Sequence, residues 1–280
     1  MSIGEMIARK RKELGYTQQK LAEQLSISFQ AVSKWENGSS LPDITMLPQL
    51  ADILHTSVDA LVGHHYSPQT IYEEKYSDKA YYWGIEPNCL CYDILRLRPP
   101  VRPYRVLDIG CGEGKDAVFL ARNGYRVSAF DISDAGLNKA RQLAHACRTQ
   151  VDLFRADLLD YQPDDSFDIV FSSGVLHYLP ADRRRDFFER LKASTAPHGL
   201  HVMNVFVHKP FIASAPDAEE SERVEPWLSG ELFSYYHDWR FHLQQESIFD
   251  CMSGGMPHQH CMVSMIAEKV AIQDNKGFAF

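Results

Sequence analysis

Ile3, Met6, Ile7 and Leu14 recur at helical spacing and predict an amphipathic helix that Gly15 breaks. Thr17 can cap a second helix through Leu25. A turn at Ser26-Ile27-Ser28 then leads to a third, Phe29 to Glu36, closed by Asn37-Gly38. Asp43 and Ser57 read as caps of two more helices, one holding Ile44, Leu47, Leu50, Ala51 and Leu54, the other Leu61 and Val62. From Arg105 the pattern changes. Short apolar runs at 106–109, 126–130, 151–154, 167–171 and 200–207 alternate with helical stretches at 115–123, 135–147 and 182–194. This alternation predicts an α/β fold with a mostly parallel sheet covered by helices on both faces. Residues 208–238 interrupt it with the acidic run Asp217 to Glu222 and a helix reaching Tyr236. Arg240 to Phe249 and Met262 to Lys269 then read as an antiparallel strand pair.

Two patterns in 280 residues fit two domains. The reading is an all-α five-helix domain over 1–63, a hinge at 64–70 and a second domain over 71–280. Tyr66, Tyr72, Tyr76, Tyr81, Tyr82 and Trp83 make 64–84 aromatic, without the Gly/Ser bias of a flexible linker. The net charge of −8 is unevenly divided. Residues 1–63 hold six Lys/Arg against seven Asp/Glu, and 64–280 hold 23 against 30. The larger part is therefore a poor match for a polyanion, while the smaller can still present a basic face. No apolar run reaches the ~18 residues of a membrane span. The N-terminus runs from Met1 into Arg9-Lys10-Arg11-Lys12 without an apolar signal core, which points to the cytoplasm. Six cysteines are too few for a disulfide framework, and Cys89-Leu90-Cys91 lacks the second pair of a zinc pattern, so reduced thiols and no metal are expected.

Thr17-Gln18-Gln19-Lys20-Leu21-Ala22, Val32-Ser33-Lys34-Trp35-Glu36-Asn37-Gly38, Pro42 and Leu50 to Leu54 resemble the Cro/phage-repressor (XRE-type) helix-turn-helix family. The resemblance implies a homodimer on a double-stranded DNA operator, with the third helix in the major groove. It puts Ser28, Phe29, Gln30, Ser33 and Lys34 at base-reading positions and Gln18 and Asn37 at phosphate-contacting ones. Arg9 to Lys12 is expected to be a solvated helix face. A protein-interaction bundle is the competing reading of the same pattern.

The first strand of the second domain runs into Asp108-Ile109-Gly110-Cys111-Gly112-Glu113-Gly114. Glycines there let backbone approach a ligand above the sheet's carboxyl edge. A dinucleotide fingerprint needs glycine at Lys115, and a P-loop needs Ser or Thr at Asp116, so neither pyrophosphate nor triphosphate is indicated. A ligand with an amino-acid tail and a nucleoside remains. Asp131, 21 residues after Gly110, can accept from both ribose hydroxyls, and Asp157 follows the third strand within reach of an adenine amino group. These three points resemble class I S-adenosylmethionine-dependent methyltransferases. Tyr82-Trp83-Gly84, Pro87-Asn88, Val106 to Ser133, Phe167 to Val170, Leu176 to Leu179 and Pro257 to His260 narrow the resemblance to tellurite-resistance methyltransferases. It implies a Rossmann-like domain holding S-adenosylmethionine through Asp108, Gly110, Cys111, Gly112, Gly114, Asp131, Ile132, Asp157, Leu158 and Ser173, with Tyr76 and Trp83 as a lid.

Methyl transfer from a sulfonium is an in-line displacement, so the protein mainly aligns the nucleophile and excludes water. A base is needed only where the nucleophile must lose a proton. His177 and Tyr178, after the fourth strand, are the expected catalytic groups, with His260 and its neighbour His258 closing the acceptor pocket. Cys89 and Cys91 together with Cys251 or Cys261 offer a soft metalloid site. After the fourth strand the chain reads Ser172-Ser173-Gly174-Val175 rather than Asp/Asn-Pro-Pro-aromatic, and it contains no Pro-Cys pair, which argues against DNA methylation. The expected function is methyl transfer to a small acceptor, a thiol or a metalloid oxyanion, by a protein that also binds DNA. The alternative is a transcriptional regulator whose second domain senses a ligand without turnover.

Overall fold

The computed structural model describes residues 3–56, 58–61, 71–163, 165–213, 226–252 and 257–270. The hinge expected at 64–70, the cap at Ser57, Val62 and the acidic run 217–222 lie outside the described residues. The chain divides into two compact units, Met1–Pro68 and Gln69–Phe280.

The first unit contains α1 (Ile3–Glu13), α2 (Gln18–Leu25), α3 (Phe29–Glu36), α4 (Leu47–Ile53) and α5 (Val58–Leu61). Thr17 accepts a hydrogen bond from the Lys20 amide and Ser28 one from the Ala31 amide, so both helices of the helix-turn-helix have side-chain caps. Ser26 ends α2 in the left-handed region, where its amide closes on Ala22 and Glu23. Ile7, Leu21, Val32, Leu50, Leu54 and Leu61 fill the core. Asp43 caps a separate 3-10 turn at Ile44–Met46, and α4 restarts after it with Pro48 in its first turn. The fourth helix is therefore shorter than the apolar pattern suggested.

Arg11 departs from the expected solvated face. Its Nε and Nη2 reach Glu36 Oε1 and Oε2 at 2.6 and 2.9 Å, its Nη1 donates to the Tyr16 carbonyl, and Gln18 Nε2 adds 2.8 Å to Glu36 Oε2. Burial raises the Glu36 pKa, but the bonds from Arg11 and Gln18 outweigh it and hold the carboxyl below its usual value. Helical periodicity places Arg11 beside its basic neighbours. Only the fold brings the end of α3 against it.

The second unit opens with α6 (Ile71–Lys75) and α7 (Cys89–Leu97). A seven-stranded sheet follows, formed by β1 (Arg105–Ile109), β2 (Arg126–Asp131), β3 (Asp152–Arg155), β4 (Phe167–Ser172), β5 (Thr195–Val207), β6 (Arg240–Cys251) and β7 (His258–Glu268). Its order is β3-β2-β1-β4-β5-β7-β6. Strands β1 to β5 pair in parallel, while β7 is antiparallel to both β5 and β6. The helices α8 (Lys115–Arg122), α9 (Asp134–Ala146) and α10 (Ala181–Ala193) connect the parallel strands. Alternation along β1 sends Leu107 and Ile109 into one core and Val106 into the other. Both faces are thus buried, as a parallel sheet requires.

Two boundaries moved. Strand β5 begins at Thr195, because Thr195 pairs with Phe167 before a register shift passes Pro197-His198-Gly199 and pairing resumes at Leu200. The helix expected before Tyr236 shrinks to α11 (Glu231–Ser234); Trp227, Tyr236 and Trp239 bury themselves in the first core instead.

Candidate functional site

The loop after β1 owes its course to glycine. Gly110, Gly112 and Gly114 have φ of 70, 51 and 83°, a region that suits glycine. Space reinforces the requirement at all three. A Cβ on Gly114 would stand 2.5 Å from Ala140 Cβ on α9, and one on Gly112 would stand 2.9 Å from the Tyr76 hydroxyl. Tyr76 therefore lies over the loop. Trp83 donates its Nε1 to the Tyr76 hydroxyl at 3.2 Å, and the Trp83 amide bonds Glu113 at 3.3 Å. Tyr76 is buried while Trp83 remains about half exposed.

Asp131 ends β2 with Oδ2 accepting from the Gly112 amide at 2.8 Å and Oδ1 from the Ser133 amide at 2.9 Å. An ionised carboxylate has about four acceptor positions, so these two bonds leave room for hydroxyls. Burial raises the Asp131 pKa against those backbone bonds. Asp108 is more extreme. Its Oδ2 is buried without a hydrogen-bond partner, and burial together with Asp116 pushes its pKa well above the ordinary value. A cationic ligand would restore the charged form. Cys111 donates its amide to the Phe130 carbonyl at 2.9 Å, and burial raises its thiol pKa strongly.

The third-strand residues sit differently. Asp157 Oδ1 accepts from the Leu159 amide at 2.8 Å, a local capping turn. The preceding Ala156 amide donates to the Asp131 carbonyl, which keeps this turn beside β2. Leu158 belongs to the core, and the Ile132 carbonyl accepts from Arg155 Nε at 3.0 Å.

Ser173 marks the end of β4. Its Oγ accepts from Asn88 Nδ2 and Asn204 Nδ2, both at 3.0 Å, while Asn204 Oδ1 accepts from the Gly174 amide at 2.8 Å. Asn204 is 1% exposed. Sequence reasoning missed it, although a lone asparagine in the apolar run Val202 to Val207 is the signal that finds it. Glu113 was missed as well: it pairs with Lys139 at 2.5 Å, locking α9 to the loop. So was Glu73, whose Oε2 accepts from Ser133 Oγ and fixes α6 over the same edge.

His177 lies in a 3-10 turn at Leu176–Tyr178. Trp227 Nε1 donates to the Leu176 carbonyl at 3.0 Å and anchors this turn. The His177 Nδ1 is buried without a partner, and burial, with a smaller push from His260, lowers its pKa to about 4. It is neutral at physiological pH. Its ring packs against Phe206 at 5.2 Å between centroids, and Phe206 packs against His260 at 4.9 Å. The Tyr178 hydroxyl bonds that of Tyr72 at 3.3 Å. The turn is close to the glycine loop, since a Cβ on Gly110 would meet Val175, two residues before His177, at 2.6 Å.

The four cysteines do not meet as expected. Cys91 is in the core on one face of the sheet, bonded to Asp116, and Cys261 is in the core on the other. Helix α7 packs Cys91 against one face of the sheet, whereas Cys261 projects from β7 into the other. Cys251 lies instead with His258 and His260.

In the first unit Ser28, Phe29, Gln30, Lys34 and Asn37 are exposed and Ser33 is half-buried. Gln18 is engaged with Glu36, and Asn37 Oδ1 accepts from the Ser39 amide at 2.9 Å.

Residues 7–61 match the helix-turn-helix family and residues 106–199 the methyltransferase-domain family. The chain joins an XRE-type helix-turn-helix domain to a class I, S-adenosylmethionine-dependent methyltransferase domain. Among known proteins, hemagglutinin 1 of Eikenella corrodens is 33% identical over 60% of this chain and 56% of its own. TehB of Haemophilus influenzae, described as a probable S-adenosyl-L-methionine-dependent methyltransferase, is 20% identical over 68% of this chain and 62% of its own. The TehB crystal structure shares the fold with a TM-score of 0.57 at 19% identity, covering 71% of this chain and 65% of that one. The phage CTXphi transcriptional repressor RstR of Vibrio cholerae is 38% identical over 22% of this chain and 56% of its own. The chain thus spans little more than half of the length of these curated relatives. Among the described residues, no helix is long and apolar enough to cross a membrane.

Proposed function

We propose that the protein transfers the methyl group of S-adenosylmethionine to a small thiol and binds a DNA operator as a dimer. One observation carries the first half: the glycine loop and the neutral His177 share an edge of the sheet, joined by Val175 packed on Gly110. Asp131 would hold the ribose, and the unpartnered Asp108 oxygen fits the positive charge of the donor. The acceptor sulfur attacks the methyl carbon, the carbon–sulfonium bond breaks, and S-adenosylhomocysteine leaves with the electron pair. A thiol must lose its proton: the neutral His177 ring can accept a hydrogen bond from it and orient the sulfur, while the proton passes to solvent. Phe206, His260 and Tyr178 would wall the acceptor in.

The operator reading rests on α3, whose Phe29, Gln30 and Lys34 face solvent beside a capped N-terminus. Two such helices in a dimer would read half-sites ~34 Å apart. Incubation with thiols, metalloid oxyanions, phenols and amines, read as S-adenosylhomocysteine formed, tests the first half. Thiols should lead. Donor binding without turnover on any acceptor would make the domain a sensor. Selection from random duplexes tests the second half, with Lys34→Glu expected to abolish recovery of a motif and to leave donor affinity unchanged.

A further inference from the structure

The connected ends of the β6–β7 hairpin bring three metal-binding side chains to one place. Cys251 is the cross-strand partner of His258, and Phe249 that of His260. Directly opposite residues share a face, as do residues two apart on one strand. Cys251, His258 and His260 therefore project from the same face of the hairpin, although six residues of chain separate the cysteine from the first histidine. Their ligand atoms all lie within 4.8 Å of one another, and the two histidine Nε2 atoms are 2.9 Å apart. The rings meet edge-on, 4.6 Å between centroids. All three residues are half-buried, so an ion can enter from solvent.

We propose that Cys251, His258 and His260 bind a divalent ion of the zinc class. Zinc takes nitrogen at about 2.0 Å and sulfur at about 2.3 Å in a tetrahedron, so its ligand atoms stand about 3.3–3.6 Å apart. The histidine nitrogens need to open by about 0.4 Å and the cysteine to close by about 1.2 Å at most, within the reach of side-chain rotation. One thiolate and two imidazoles suit a borderline-soft ion and exclude magnesium or calcium, which take oxygen. On binding, Cys251 coordinates as the thiolate and releases its proton to solvent. Three protein ligands leave the fourth position for water or an exogenous anion. Metal binding is read without turnover, so it stands or falls apart from methyl transfer.

The full, tag-free chain is stripped with a chelator and titrated with cobalt(II). One equivalent should produce tetrahedral ligand-field absorption and a sulfur-to-cobalt charge-transfer band, and zinc should displace it. Cys251→Ser should lose the charge-transfer band. His258→Ala should weaken zinc binding by more than about tenfold, since even outer-shell changes cost that much. Binding of S-adenosylhomocysteine by both variants checks that they are folded. A wild-type chain that gives no sulfur-to-cobalt band at one equivalent overturns the proposal without recourse to any variant. So does a folded Cys251→Ser that keeps the band and the affinity.

Discussion

Among the described residues, the two units differ in whether every buried polar group is matched. In the helix-turn-helix unit, Arg11, Glu36, Gln18 and the Tyr16 carbonyl satisfy one another. In the methyltransferase unit, Asp108 Oδ2 and His177 Nδ1 are buried without a partner, as is Arg190 Nε on α10. A buried polar atom left unmatched costs free energy, about 1–3 kcal/mol. A closed network therefore marks structure, whereas an open one at the rim of a glycine loop marks a place for a ligand. The face proposed to read DNA lies outside, on exposed α3. The groups proposed to meet donor and acceptor in the larger unit are buried and left unpartnered at Asp108 and His177.

The largest expected effect breaks the closed network. Arg11→Ala leaves Glu36 charged and nearly buried, which should cost about 3–5 kcal/mol. Calorimetry of the full chain should show the transition of the helix-turn-helix unit moved down, with that of the larger unit in place. If both hold, the network contributes no stability.

On the open side, His177→Gln should lower kcat for a thiol by about 100-fold, the scale of a lost orienting group at the reacting atom. Affinity for S-adenosylhomocysteine should stay constant. An unchanged kcat would reduce His177 to packing.

Asp131→Ala should weaken donor binding by about 2–3 kcal/mol, as the ribose hydroxyls lose their acceptor. Titration calorimetry with S-adenosylhomocysteine reads this directly, and an unaltered Kd removes Asp131 from the site.

The smallest effect concerns a closed network inside the larger unit. His201 lies between Thr195 Oγ1 at 2.7 Å and the Tyr236 hydroxyl at 2.6 Å, and burial, then Lys269 and Lys192, lower its pKa to about 3. The unfolded chain takes up this proton near pH 6.5 and the folded one only near 3, so stability is full above 6.5 and is lost as pH falls. His201→Gln cannot charge. Between pH 7 and pH 5 it should lose about 2 kcal/mol less than the unmodified chain in urea titrations. Equal losses would place the acid sensitivity elsewhere.

Much of both units was legible because the signals are local. Thr17 and Ser28 cap their helices through neighbouring amides, and a cap needs only three residues of context. The glycine loop and Asp131 follow their strands directly, so the edge of a parallel sheet collects them whatever the helices do. Arg11 was misplaced because its partner lies 25 residues away. The apolar run around Asn204 marks it, but no local signal says that it meets Asn88 at Ser173, across 31 and 85 residues.

The sequence by itself determined the two patterns of periodicity, the turn between α2 and α3, the left-handed glycines and the carboxylates at strand ends. Each depends on steric and hydrogen-bonding preferences within a few residues. Tertiary structure alone decided which polar groups are satisfied, that Cys91 and Cys261 occupy opposite faces, and that Cys251 stands beside His258 and His260. Those outcomes depend on strand register and packing. A one-residue slip between β6 and β7 would send the cysteine to the other face from the histidines, and no local propensity sets that choice.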